Sequence, residues 1–539
     1  MSLMRTVAVV LIGAAGAARA DDATATTTAS STAQAPQPDD LDVRLTLSTF
    51  LFHQSGSDPA PLVSDGANPQ NASPVERFFT DLRGQLSDGG FAFDGRIRET
   101  TSELYQSGAD GGGEYEIRTL DYRLGSPSTH VTIGRQFIEA VGQTKIDGAA
   151  FEQRLAGGPS GGVNATVFAG AFPDLGSRSV DTDYLHVVNA DGTQGSILIP
   201  LTAGAGATYS TNDYHGDLGI AGVYAAQDVP MATTDQRSRI FTTSSGYWRP
   251  TRDVDIYHFA LLDVAGASGV NLTSGNVGVD ARPTSSFQLG AQVSHYSNDL
   301  LQIAARNTLE DPDPSAVGIV QNNITLLHVS QDMVRGTASV ALAQQRFQIS
   351  VFGSAYRRPD VSVPLSDGTG SVVFPEAKSA DGGITVLDRR SVAGLRIALS
   401  AMVTDPIGSE VPNRSRGSVV RVVVSRTFAQ QRGELELDAA YEHFDDVFTQ
   451  QACATSIAPL ACFGTSSVDA GQGGALFSWR VAREWLLVAD AQLGYQRLRS
   501  TFTTPMTPGD PSSPLEMLPV HWPGAFSITG FARLQWRYR

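Results

Sequence analysis

Apolar and polar side chains alternate along most of the chain, in segments of about ten residues. Clear examples are Leu41–Ser48, Phe91–Arg98, Leu487–Gln496 and Phe526–Arg539, where most apolar residues occupy every second position. A β-strand points successive side chains to opposite faces, so each segment predicts a strand with one apolar and one polar face. About ten residues is also the length that a strand needs to cross a bilayer.

The connections between these segments come in two lengths that alternate along the chain. The short ones are Ser87–Gly90, Gly125–Ser128, Pro250–Asp253, Gln344–Arg346 and Gln430–Gly433, and the long ones are His53–Pro74, Pro173–Gly195, Ser297–Asp332, Pro359–Gly383 and Asp446–Gly473. Outer-membrane barrels have short periplasmic turns and long outer loops. The pattern therefore predicts an all-β protein in which residues 41–539 form a closed antiparallel transmembrane β-barrel of about 18 strands, within roughly 16 to 20.

One segment does not fit this count. Residues Arg389–Thr404 are apolar but alternate poorly, and counting them as a single strand breaks the sequence of short and long connections. Three interpretations remain open at this stage: a single strand, a helix or loop folded into the lumen, or two strands.

The first forty residues carry an export signal and no barrel pattern. Arg5 precedes the apolar run Val7–Ala14, and Ala18-Arg19-Ala20 has the form of a cleavage site, so residues 1–20 are predicted to be a signal peptide. Residues 21–40 are rich in Thr, Ala, Ser and Pro, which predicts a disordered segment too short to fold as a plug domain. No later stretch has the length of a transmembrane helix, and the predicted location is the outer membrane.

Composition excludes one class of partner. The formal net charge is −16, which argues against binding to nucleic acid. Lys occurs only at Lys145 and Lys378, so Arg supplies nearly all of the positive charge. Either GC-rich codon usage or guanidinium groups along a path for anions accounts for this bias.

The two cysteines lie close together in one predicted outer loop. Cys453 and Cys462 would meet an oxidising compartment after export, so we predict a local disulfide. A metal site would need more soft ligands nearby, and the segment has none. We predict no metal site and no cofactor.

Charged residues recur on the polar faces of the predicted strands, where they are candidates to line a pore. They are Arg44, Asp81, Arg83, Asp94, Arg96, Arg98, Asp121, Arg123, Arg135, Asp280, Arg282, Arg421, Asp490, Arg533 and Arg537. These groups could pair with one another and stiffen the wall, or they could create a field that favours hydrated, charged solutes. Four of the N-terminal arginines, Arg83, Arg96, Arg98 and Arg123, predict a locally positive wall and a preference for anions.

Two segments resemble known outer-membrane proteins. The aromatic-rich segment Phe526–Arg539 resembles the C-terminal signal of bacterial barrels, which implies the barrel-assembly machinery as a partner, although it ends on Tyr538-Arg539 and not on Phe or Trp. The segment Val131–Phe137 resembles a recurring segment of porins and of the alginate-export and polysaccharide-export barrels. This resemblance implies a passive conduit, periplasmic export components as partners, and a wall or constriction position for Arg135.

No sequence motif of an enzyme is present. The chain lacks the signatures of α/β-hydrolases, zinc proteases, P-loop proteins and dinucleotide-binding proteins. The leading hypothesis is a porin that passes hydrated, charged solutes or an exported, anionic polysaccharide, embedded in outer-membrane lipid. The competing hypotheses are a non-conducting barrel scaffold whose outer loops bind a surface partner and, third, a barrel hydrolase with a spatially assembled triad.

Overall fold

In the part of the chain that the structure describes, the secondary structure is almost entirely β-strand. The computed structural model describes residues 42–57, 71–100, 113–158, 161–173, 184, 186–188, 194–197, 199–224, 238–265, 269–297, 330–364, 371–374, 376–392, 394–407, 414–447, 463–505, 515–521 and 524–538. Among these residues, no helix has the length and apolar character needed to cross a membrane.

The described strands are numbered in chain order, and a short 3-10 turn lies between β5 and β6. The first part contains β1 (Asp42–Ser57), β2 (Asn71–Asp88), β3 (Phe91–Thr100), β4 (Gly113–Ser126), β5 (Thr129–Ile138), a 3-10 turn (Glu139–Val141), β6 (Thr144–Gly158), β7 (Gly161–Ala171), β8 (His186–Val188), β9 (Gln194–Ile197), β10 (Leu201–Ser210), β11 (Tyr214–Tyr224), β12 (Ser238–Thr251) and β13 (Val254–Ala265). The second part contains β14 (Asn271–Thr284), β15 (Phe287–Ser297), β16 (Ser330–Leu342), β17 (Phe347–Arg358), β18 (Val361–Pro364), β19 (Ser371–Phe374), β20 (Ala377–Val392), β21 (Leu395–Pro406), β22 (Arg414–Phe428), β23 (Gly433–Val447), β24 (Phe463–Arg480), β25 (Trp485–Pro505), β26 (Leu515–His521) and β27 (Ala525–Tyr538).

Pairing between strands closes the sheet into a barrel. Each strand of the wall pairs antiparallel with its neighbour in the chain, and β27 pairs with β1 through partners such as Thr49 and Leu534. The strands β26 and β27 lie one after the other along the same edge of β25, so together they fill one place in the wall. The closed antiparallel barrel is therefore confirmed, but it has 22 strands and the predicted number of about 18 is wrong.

The poorly alternating segment Arg389–Thr404 explains part of the error in the strand number. Residues Arg389–Thr404 contain the end of β20 and most of β21, which pair with each other across a tight turn at Gly394. Gly394 has a φ of 74°, a conformation that glycine adopts without the steric penalty of a side chain. The interpretation as parts of two strands is the one that the structure supports.

Strands also continue into segments that the sequence assigns to loops. For example, β24 begins at Phe463 inside the predicted loop Asp446–Gly473, and β20 begins at Ala377 inside Pro359–Gly383. Two small hairpins, β8–β9 and β18–β19, lie in predicted loops as well. Alternation weakens where a strand rises above the bilayer, because both of its faces then meet water.

The predicted short connections all lie at one end of the barrel, the end that also holds the start of β1 and the end of β27. They correspond to the tight hairpins β2–β3, β4–β5, β12–β13, β16–β17 and β22–β23. By the rule for outer-membrane barrels this end is periplasmic. Two connections at the opposite end are also only five residues long: Glu139–Gln143, between β5 and β6, and residues 266–270, between β13 and β14.

The outer face of the wall is apolar and bordered by aromatic rings. Large apolar side chains stand exposed on it, among them Leu51, Leu218, Val403 and Leu493. Near the periplasmic end, the rings of Phe428 and Trp479 lie 5.5 Å apart and those of Trp485 and Trp536 lie 6.5 Å apart. A band of this kind is suited to lipid, with Trp at the level of the headgroups.

Candidate functional site

The inner face of the wall carries most of the charged residues that the sequence selects. Fourteen of the fifteen candidates alternate with the exposed apolar residues and therefore lie on the inner face: Arg44, Asp81, Arg83, Asp94, Arg96, Arg98, Asp121, Arg123, Asp280, Arg282, Arg421, Asp490, Arg533 and Arg537. Their contact with a passing solute stays a prediction.

The strands β2 and β3 hold the first group of ion pairs on this face. The guanidinium of Arg83 donates two hydrogen bonds to the carboxylate of Asp94, at 3.1 and 2.7 Å. The Gln85 amide donates a third to the same carboxylate, at 3.1 Å. Because donor and acceptor lie on adjacent strands, the pair also fixes their register. The Arg83 side chain remains 40% exposed, so its charge is still accessible to water in the lumen.

A second carboxylate on β2 serves two arginines of β3. Asp81 accepts hydrogen bonds from Arg96, with Nε at 2.6 Å, and from Arg98, with Nη2 at 3.3 Å. Three guanidinium groups on these two strands are thus held by two carboxylates. The pairing predicted as an alternative for these residues is present. On β2 and β3 it leaves three guanidinium groups for two carboxylates, and Glu116 of β4 is the register partner of Arg96.

Further arginines extend this group across the closing seam of the barrel. Arg533 of β27 donates to the Ser48 hydroxyl at 3.0 Å and lies 4.9 Å from the centre of the Phe50 ring. The Arg537 guanidinium lies against the Gln535 side chain, and Arg44 pairs with Asp42 at 2.6 Å. We call the inner faces of β27, β1, β2, β3 and β4 the Arg wall.

A third group lies on β12, β13 and β14, near the periplasmic end. Asp255 accepts a hydrogen bond from Arg249 Nε at 2.7 Å and another from the Tyr247 hydroxyl. The predicted residue Arg282 approaches the same carboxylate at 3.7 Å. Asp280 is the register partner of Asp255. The sequence analysis missed Asp255, Arg249 and Tyr247, although the turn Pro250–Asp253 places them at the two sides of one hairpin.

The remaining candidates lie on the inner faces of β22, β25 and β4. Arg421 of β22 lies 3.3 Å from Asp438 of β23, and Asp490 of β25 accepts a hydrogen bond from Gln492 at 3.1 Å. On β4, the exposed Arg123 and the half-buried Asp121 follow each other along the strand. Arg421 is thus separated from the Arg wall by three strands, whereas Asp490 lies on β25, directly beside β27 of the Arg wall.

Arg135 does not line the lumen, which corrects its predicted position. It pairs in register with Leu120 and shares the face of Ile133, so it lies on the outer side of the wall. Only 10% of its side chain is exposed, because Asp147 binds it through two contacts of 2.6 Å. The Tyr184 hydroxyl donates to the same carboxylate at 2.6 Å. The backbone at Gly134, with a φ of 126°, is accessible to glycine with little strain.

The connection Glu139–Gln143, which we call the inward turn, folds onto the inner face. Val141 is fully buried, and it belongs to an apolar cluster with Ile138, Ile146, Phe168 and Phe241. This cluster fills the inside of the wall from β5 to β12, where a water-filled lumen would favour polar groups. The inward turn therefore narrows one side of the barrel.

Two glycines allow this close approach. A Cβ atom at Gly206 would lie 2.6 Å from the carbonyl oxygen of Ala140, and one at Gly219 would lie 2.3 Å from the same oxygen. Both distances are shorter than van der Waals contact, so any other residue would displace the inward turn. At the start of the inward turn, the Glu139 carboxylate lies 3.7 Å from the imidazole of His215 on β11.

Strand number sets the width of the lumen. Twenty-two strands spaced about 4.8 Å apart and tilted by about 40° give a diameter of roughly 45 Å between opposing backbones, for a circular section. Barrels of 16–18 strands already leave an aqueous channel. The inward turn, a connection of five residues, occupies a small part of this width.

Other predicted features lie outside the described residues. They are the signal peptide at residues 1–20, the segment 21–40, and the cysteines Cys453 and Cys462. Within the described ranges, His, Cys, Asp and Glu side chains form no group of three or more placed to hold a metal ion.

No protein-family model and no curated protein matches this amino-acid sequence. Among solved structures, OccAB3 of Acinetobacter baumannii has 10% identity, with 93% of this chain and 100% of that chain covered, and a TM-score of 0.35. The copper transporter OprC has 13% identity over 93% of this chain and 81% of that chain, with a TM-score of 0.42. A bacterial polysaccharide outer membrane secretin has 10% identity, with 64% of this chain and 92% of that chain covered, and a TM-score of 0.28. Scores this low transfer no function.

The geometry itself defines the class of protein. The wall is closed and antiparallel, its outer face is apolar with an aromatic border at the periplasmic end, and its inner face carries paired charges. A closed barrel leaves no strand edge unpaired in lipid, which is the condition for β-strands to span a bilayer. The chain is a multi-pass β-barrel of the bacterial outer membrane.

Proposed function

We propose that the barrel is a passive conduit for hydrated, charged solutes. The observation that carries this proposal is that ion-paired arginines are partly exposed on the inner face of a barrel that is wide enough to hold water. A wall closed to solvent would favour apolar packing over these pairs, since charges taken out of water cost several kcal/mol each, as a rough estimate. The 40% exposure of Arg83 supports a hydrated lumen beside it.

The width favours solutes that are larger than simple ions. A diameter of roughly 45 Å admits an extended polymer beside the inward turn, and the Arg wall offers three guanidinium groups for two carboxylates on β2 and β3. An exported, anionic polysaccharide is therefore our candidate for the large substrate. Guanidinium groups bind carboxylate or phosphate groups on such a chain while water solvates the rest.

Conductance in a planar bilayer tests the proposal directly. Folded protein should give a stable ohmic current, and an anionic polysaccharide added to one side should reduce it. A neutral polysaccharide of the same length is the control, because it blocks by size without charge. Folded protein without measurable current would contradict the conduit and favour the scaffold whose outer loops bind a partner.

A further inference from the structure

A cluster of charged side chains lies on the outer face of the barrel at its extracellular end. We call it the outer rim, and it consists of Arg357 on β17, Glu376 directly before β20, Lys378 at the start of β20, Asp405 on β21, Arg416 on β22, His443 and Asp445 on β23, Asp469 on β24 and Arg499 on β25. Conduction through the lumen does not use these residues, because they face away from it.

Strand alternation places the outer rim on the lipid side. Lys378 continues the face of exposed Ile384, Asp405 that of exposed Val403, and Arg416 that of exposed Val420. His443 lies two residues beyond Tyr441 and Arg499 four residues beyond Tyr495, and both tyrosines are exposed.

The outer rim is connected by ion pairs across neighbouring strands. Arg357 and Lys378 both contact Glu376, at 2.6 and 2.5 Å. Arg416 contacts Asp405 at 2.8 Å. His443 lies between Asp445 at 3.1 Å and Asp469 at 2.7 Å, and Arg499 approaches Asp469 at 3.4 Å. Registers that pair Arg416 with Asp445 and His443 with Asp469 join these contacts into one continuous strip.

Distance from the periplasmic aromatic rings gives the height of this strip. Ten residues separate Trp479 from Asp469 along β24, and twelve separate Phe428 from Arg416 along β22. At about 3.4 Å per residue and a tilt of about 40°, ten residues rise about 26 Å. The apolar band of an outer-membrane barrel is about 25 Å tall, so the outer rim lies at the headgroups of the outer leaflet.

The cationic groups of the outer rim are directed toward this layer. The exposed fractions are 70% for the Arg416 side chain, 53% for Arg499 and 43% for Lys378. Among the described residues, Arg416 engages a carboxylate through Nε alone, which leaves its terminal nitrogens for an acceptor from the membrane. Guanidinium groups in this arrangement match phosphate, which accepts two parallel hydrogen bonds.

We propose that the outer rim is a docking surface for the phosphate groups of the phosphorylated glycolipid that forms the outer leaflet. The carboxylates hold the arginines and the lysine at headgroup height, and the cations bind phosphate there. The proposal rests on the location of the barrel in the outer membrane and is independent of conduction.

Binding of lipid A, a diphosphorylated glycolipid, tests this surface. Purified barrel in detergent is titrated with lipid A and with its dephosphorylated form, and bound lipid is counted by native mass spectrometry. We expect the variant Lys378→Gln, Arg416→Gln, Arg499→Gln to bind lipid A at least about tenfold more weakly than the unmodified barrel, since each charge-assisted hydrogen bond contributes strongly to binding. The unmodified barrel should bind the dephosphorylated form as weakly as this variant binds lipid A.

The matched control removes the same charge from the inner face. The variant Arg44→Gln, Arg123→Gln, Arg282→Gln should retain the affinity of the unmodified barrel for lipid A. If the outer-rim variant does not fold, Arg416→Gln alone should still weaken binding. The proposal is overturned if the outer-rim variants bind lipid A as tightly as the unmodified barrel, or if the inner-face control loses as much affinity for lipid A as they do. It is also overturned if two barrels associate through this strip without lipid.

Discussion

In the conduit that we propose, single residues of the Arg wall set the charge that a passing ion meets. Replacing Arg96 and Arg98 with Ala leaves Asp81 without the two guanidinium groups that hold it. We therefore expect more than a loss of anion preference: the reversal potential in a salt gradient should move toward cation preference, because an uncompensated carboxylate now faces the lumen. Planar-bilayer recordings of the unmodified barrel and the double variant measure this shift.

A third substitution separates charge from structural damage. Adding Asp81→Ala to the double variant removes the uncompensated carboxylate, so the reversal potential should return toward the value of the unmodified barrel. If the double variant keeps the selectivity of the unmodified barrel, the field of the lumen is set elsewhere and these pairs only stiffen the wall.

At the scale of elements, the inward turn depends on the glycines beneath it. Gly219→Val places a Cβ at 2.3 Å from the carbonyl oxygen of Ala140, so the turn must leave the inner face or the wall must distort. Overpacking of this kind typically costs about 1–3 kcal/mol. On a gel run without boiling, a folded barrel migrates as a compact band. We expect heating to abolish this band at a lower midpoint temperature in the variant, together with an altered single-channel conductance.

The control lies on the same strand and faces the other way. A Cβ at Gly222 has no neighbour closer than 3.9 Å, so Gly222→Val should leave both the midpoint and the conductance nearly unchanged. Equal effects of the two substitutions would mean that β11 tolerates no valine in general, and that the inward turn is not responsible.

At the scale of the whole molecule, stability depends on the seam where the last strand meets the first. Thr49 and Leu534 are direct partners across β1 and β27, so cysteines at both positions, in a Cys453→Ser, Cys462→Ser background, should form a disulfide. The locked barrel should keep its compact band to a higher temperature without reductant, since such bonds contribute about 2–4 kcal/mol.

A pair shifted by two residues tests the register of this seam. Cysteines at Thr49 and Trp536 are diagonal neighbours, about 7–8 Å apart in such a sheet, and should cross-link poorly. Preferential cross-linking of this shifted pair would contradict the observed closure.

Much of the wall could be predicted from the sequence, because lipid and water impose opposite requirements on alternate side chains. Residues such as Asp81 and Arg96 lie on the face that their polar neighbours predict. The strand count failed where that requirement is weak, at the tight turn beside Gly394 and in strands such as β24 that rise above the bilayer. The predicted position of Arg135 was wrong for a related reason, because its own strand has no clear alternation of apolar and polar residues around Gly134.

The class of fold, the apolar and charged faces, and the end at which the short turns lie all follow from the sequence alone, because these depend on spacing within single strands. The number of strands, the partners of each arginine, the burial of the inward turn and the assembly of the outer rim emerge only in the folded barrel. Those features depend on register between segments that are distant in the chain, such as the contacts of Arg533 with Ser48 and of His443 with Asp469. Registers of this kind are set only when the whole sheet closes on itself.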